Sequence, residues 1–129
     1  MPLHWTIDSE ARFVSVVAKG DVSRPEVEQL LDEMLSRGAM TYRKLFDGLD
    51  GDTAMAPQDL LALGVRMRAH HSGGPVGALA LVLPDEKAEI VVPILGMLAA
   101  ADRPMRIFAT YQRARRWLES LGGPLPRRA

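Results

Sequence analysis

The sequence has no cysteine, so none of its 129 residues can form a disulfide, a zinc–thiolate centre or a thiol nucleophile. Aromatic residues are scarce, at 5%, and the charges cancel, with sixteen Lys and Arg against sixteen Asp and Glu. A neutral chain makes a poor general nucleic-acid binder, because phosphate contacts need a basic excess. Nothing at the start reads as a cationic, hydrophobic signal peptide. The longest uncharged apolar stretch outside the predicted strands, residues 90–101, is interrupted by Pro93 and too short to span a bilayer. No membrane span and a cytoplasmic location are therefore expected. No G-x-S-x-G elbow, Walker loop or dinucleotide glycine pattern is present, and no catalytic motif or cofactor is expected. The 47% hydrophobic and 25% charged residues that remain are ordinary globular proportions, in a length that suits one self-sufficient domain.

Residues 3–8 alternate, with Leu3, Trp5 and Ile7 on one face and His4, Thr6 and Asp8 on the other, which predicts a half-exposed strand. A short connection leads to a Val-rich strand over 12–19, so the two form an antiparallel hairpin, with Gly20 ending the second. Ser23-Arg24-Pro25-Glu26 is a capping box with Pro in the first turn. Behind it, Val27, Leu30, Leu31, Met34 and Leu35 make one apolar stripe of a helix that Gly38 caps. Residues 42–47 read as a short third strand. Pro57 opens a second helix to about His70, with Leu60, Leu61, Val65 and Met67 apolar, and Gly73-Gly74-Pro75 breaks it.

Residues 76–83 are apolar on both faces, which places them in a sheet covered by helices on each side. A third helix is expected over 86–102, kinked or started by Pro93. A fifth strand follows over 105–110, then a helix over 112–121 with Ala114, Trp117, Leu118 and Leu121 on one face. The order is ββαβαβαβα: an α/β domain, mostly parallel and five-stranded, with an N-terminal antiparallel hairpin and helices on both faces. The domain is expected over 1–122, with a frayed tail over 123–129.

The opening Trp5-Thr6-Ile7-Asp8, the strand over 14–20, Tyr42-Arg43-Lys44-Leu45-Phe46-Asp47 and Arg103-Pro104-Met105-Arg106-Ile107-Phe108 leading to Ala114-Arg115-Arg116-Trp117-Leu118 form an ordered set. It resembles the STAS superfamily of SpoIIAA-type anti-sigma-factor antagonists, and more closely the SpoIIAA-like branch labelled STAS/SEC14 domain-containing. The resemblance implies a non-catalytic regulatory module with a protein partner. In that family an Asp-Ser-Ser-Gly-like turn after the third strand carries a Ser that a partner kinase phosphorylates. The corresponding residues here offer Asp47, Asp50 and Asp52 but no Ser, and Thr53 is the only hydroxyl.

As residues, Asp47, Gly48, Asp50, Gly51, Asp52 and Thr53 read as a loop outside the carboxyl end of a parallel strand, where open α/β sheets place ligands. Asp and Gly are also turn formers and caps. Three carboxylates so close could hold a hard cation through oxygen. The spacing is not that of an EF-hand, however, and no metal is expected. The adjacent His70 and His71 point about 100° apart on a helix and cannot chelate one ion together. The aliphatic third helix could roof an apolar pocket, which gives a small-ligand carrier as the alternative function. More simply, it is core or a homodimer face. Finally, seven arginines against Glu119 alone give residues 103–129 a net charge of +6, leaving −6 on the rest. That asymmetry suits either helix-dipole complementarity or docking on an acidic partner or a phosphate.

Overall fold

The computed structural model describes residues 2–52, 56–71, 76–89 and 104–126. Alternation in the first strands settles their pairing. β1 (Leu3–Asp8) runs antiparallel to β2 (Phe13–Asp21), setting Leu3, Trp5 and Ile7 opposite Ala18, Val16 and Val14. The turn between them is held by the Asp8 carboxylate, which accepts from the Ala11 N–H at 2.9 Å, and by Arg12 at a left-handed φ of 51°. β2 does not stop at Gly20; that residue takes a φ of 85° and the strand continues to Asp21.

α1 (Arg24–Ser36) begins in the expected capping box, where the Glu26 carboxylate accepts from both the N–H and the hydroxyl of Ser23. It ends with the Gly38 N–H on the Leu35 carbonyl at 3.2 Å and the Ala39 N–H on that of Met34 at 2.8 Å. This paired closure needs the left-handed φ of 65° that Gly38 supplies. β3 (Arg43–Asp52), α2 (Pro57–His71), β4 (Leu79–Val82), a helical segment α3 (residues 85–89), β5 (Met105–Phe108) and α4 (Tyr111–Gly122) follow.

The sheet order is β1-β2-β3-β4-β5, antiparallel only between β1 and β2. One face packs Val14, Val16 and Ala18 against Leu30, Leu31 and Met34 of α1 and Leu63 of α2, and continues as Leu79, Leu81 and Leu83 against Ala88 of α3. The other face packs Phe13, Leu45, Ala80 and Val82 against Tyr111, Ala114 and Leu118 of α4. All four residues of β4 are buried, as a strand covered on both faces must be.

Several expectations are corrected. The third strand runs on to Asp52, so the presumed loop over 47–52 is strand. The fifth strand stops at Phe108, because the Thr110 hydroxyl turns to cap α4 by accepting from the Arg113 N–H. Leu35 at the end of α1, Leu61 and Val65 on α2, and Leu121 on α4 are exposed. Leu63 of α2 is buried, whereas Leu61 and Val65 are not. Past the end of α4, Leu125 is buried, and the Arg43 guanidinium lies against Gly122. Residues 123–126 thus pack on the domain, with the Leu125 carbonyl accepting from Arg115 at 2.6 Å. The side chains of Leu60, Met67, His70 and His71, the Pro93 region and residues 127–129 lie outside the described residues. Among the described residues, no helix is long and apolar enough to cross a membrane.

Candidate functional site at the end of the β2–β3 ribbon

β3 has two neighbours at its start and one at its end. Lys44, Leu45, Phe46 and Asp47 pair with β4 on one side and β2 on the other. Beyond Val82, β4 turns away, and Asp50, Gly51 and Asp52 pair only with Lys19, Gly20 and Asp21. Between the two parts the register slips: Val17 faces Asp47 while Lys19 faces Asp50, a bulge of one extra residue on β3. The slip puts Asp50 on the same side of the sheet as Asp47, which unbroken alternation would not do.

The two glycines that made this stretch look like a turn serve close approach instead. A Cβ on Gly51 would stand 2.6 Å from the Cβ of Ala18 on β2, and one on Gly48 would stand 2.8 Å from a Leu83 methyl. Glycine in a strand marks such crowding.

The carboxylates fall into separate environments. Asp47 is buried, and its Oδ1 accepts from the Leu49 N–H at 3.2 Å, a bond that spans the bulge. Asp50 is exposed, and no side chain among the described residues pairs with its carboxylate. Asp52 is also exposed; its carbonyl accepts from the Val22 N–H at 2.8 Å and its Oδ1 lies 3.5 Å from Lys87 Nζ. Lys87, on α3, also donates to the Gly51 carbonyl. It therefore occupies the strand edge that β4 has vacated, as inward-pointing lysines do at sheet edges. Thr53 lies outside the described residues. The structure thus sets Asp52 beside Lys87, leaves Asp50 exposed two residues before it, and buries Asp47.

Lys87 was not singled out in the sequence. The available signal was its place after Asp85 and Glu86: acids suit the first turn of a helix and a lysine there does not. The other buried charge among the described residues, Lys44, is held by the carbonyls of Met40 and Tyr42 at 2.6 and 2.7 Å. His4 is exposed on β1. Among the described residues, no group of three His, Asp or Glu is placed to hold a metal ion. The apolar pocket considered under the third helix falls on residues 90–101, outside those described.

A mixed five-stranded sheet with one antiparallel hairpin, a parallel remainder and helices on both faces is an α/β domain with a SpoIIAA-like fold. Among solved structures, the chain is similar to an uncharacterized protein of the DUF3478 family with a SpoIIAA-like fold from Shewanella loihica PV-4. The two share 17% sequence identity and a TM-score of 0.58, over 90% of this chain and 91% of the other. At that identity the likeness is one of fold. No family model and no curated protein matches the chain.

Proposed function

We propose that the chain is a non-catalytic protein-interaction or regulatory module of the STAS type, self-associating as a homodimer in the cytoplasm, whose partner reads the end of the β2–β3 ribbon. The observation that carries this reading is the exposed Asp50 and Asp52 on a strand extension that projects past β4, braced by Lys87. This is the end of the sheet at which open α/β folds present their recognition residues. Thr53, the next residue in the sequence, is the hydroxyl we propose for modification. An acidic strand end offers shape and charge to a partner without needing a catalytic group.

The test is quantitative affinity capture from the native cell, with the wild-type chain beside Asp50→Ala combined with Thr53→Ala. At least one protein should be retained by the wild type and lost with the variant. If both retain the same proteins in the same amounts, the strand end is structural only and the regulatory reading fails.

A further inference from the structure

The residues from 103 onward carry seven arginines against one acid, and three of these arginines are exposed on β5 and α4. Arg106 lies on β5, the last strand of the sheet. Its guanidinium stands 5.5 Å from the centre of the Phe108 ring and 5.9 Å from that of Trp117, and the two rings are 5.7 Å apart. On α4, Arg113 lies three residues before Arg116 and four before Trp117, so it neighbours both on the helix surface. Arg106, Arg113 and Arg116 are exposed, and among the described residues no carboxylate pairs with any of them. Arg115, by contrast, is engaged locally with the Leu125 carbonyl and with Glu119 at 3.5 Å.

The geometry points to this face as a docking surface for an acidic segment of a partner protein, its carboxylates taken by Arg106, Arg113 and Arg116 beside the Phe108–Trp117 pair. A guanidinium already resting on aromatic rings loses little further freedom when it binds, and its in-plane donors stay free for a carboxylate. Arg and Trp are the residue types that dominate interface energetics. The positive charge of these three arginines steers an acidic partner toward them. This surface is built from β5 and α4, whereas the acidic ribbon end belongs to β2 and β3, so the inference goes beyond the function proposed above and is tested apart from it.

The sequence has two tryptophans, so Trp5→Phe leaves Trp117 as the sole indole reporter. Titration of that protein with a short glutamate-rich peptide should shift the Trp117 fluorescence to saturation. Arg106→Ala, Arg113→Ala and Arg116→Ala should each weaken binding about two- to fivefold, the range of exposed arginine–carboxylate pairs. All three positions are exposed, so these variants should keep the wild-type urea midpoint. Arg24→Ala, on α1, should leave the affinity unchanged, and so should Asp50→Ala. The inference is overturned if the peptide does not bind, if its glutamine counterpart binds equally well, or if Arg24→Ala weakens binding as much as the three variants. It is also overturned if oligothymidylate binds more tightly with the same arginine dependence, which would make the face a stacking platform for single-stranded nucleic acid.

Discussion

Arg43 and Leu118 are joined across the domain: the Arg43 Nη1, at the first residue of β3, donates to the Leu118 carbonyl at 2.9 Å, and also to that of Gly123 at 2.8 Å. Both carbonyls lie at the C-terminal end of α4, where the helix dipole is negative and a cation is favoured. The third strand thereby fastens the last helix over Leu45 and Ala80. Arg43→Ala should lower stability by about 1.5–3 kcal/mol, as expected for charged hydrogen bonds lost from a partly buried site. Urea unfolding at neutral pH is the measurement, and an unchanged midpoint would show that water replaces the guanidinium without loss.

Gly77 crosses the start of β3 at close quarters. A Cβ there would stand 2.1 Å from the Tyr42 carbonyl oxygen and 2.5 Å from that of Thr41, both backbone atoms that cannot swing aside. Gly77 also donates its N–H to the Met40 carbonyl at 2.9 Å. Gly77→Ala should therefore destabilise by about 3 kcal/mol, the upper end of ordinary overpacking, through displacement of the lead into β4. Thermal unfolding of the variant beside the wild type reads this directly.

α1 and α2 are laced by ion pairs: Glu28 accepts from Arg24 and from Arg66, each at 2.8 Å, Asp32 accepts from Arg66, and Arg24 reaches Asp59 at 3.4 Å. The hydrogen bond from Arg24 comes first in holding the Glu28 carboxyl below the usual glutamate range, with the charges of Arg24 and Arg66 adding to it. A carboxyl with a lowered folded-state value contributes stability above its unfolded value and loses it as the pH falls through the folded one. Acid unfolding of Glu28→Gln should accordingly show a flatter fall below the glutamate range than the wild type. Because the pairs are exposed, the difference should shrink in high salt.

Divalent cations should leave the protein's stability alone. Asp47 is buried and engaged with the Leu49 N–H, while Asp52 stands beside the Lys87 ammonium, which competes with any cation for the same oxygen. An ion present at a hundredfold excess over its dissociation constant would add about 2.7 kcal/mol. Melting curves with and without magnesium or calcium should superimpose; a shift of that size would establish a site.

The helix termini and the buried strand were legible because each rests on local chemistry. Ser23 and Glu26 close a box within four residues, Gly38 supplies a conformation other residues resist, and residues 79–82 have no polar position to expose. The ribbon end was misread for a reason that is not local. Gly48 and Gly51 carry the composition of a turn, and only the positions of Leu83 and Ala18 on neighbouring elements reveal that they make room for packing. Exposure along α2 was equally hidden, since Leu61, Leu63 and Val65 are alike in sequence and only the path of α1 beside them decides that Leu63 is inside. The role of Lys87 depends on β4 ending at Val82, which no pattern around Lys87 itself encodes.

The uneven flanking of β3 bears on which amides open first. Lys44 through Asp47 are clamped by strands on both sides and can exchange their amide hydrogens only when the sheet itself comes apart, whereas Asp50, Gly51 and Asp52 have a paired strand, β2, on one side only among the described residues. Regions with few partners open at a small fraction of the global unfolding free energy. The strand end can therefore peel from β2 while the rest of the domain stays folded, and a binding partner could bend or re-pair this segment without disturbing the core beneath α4.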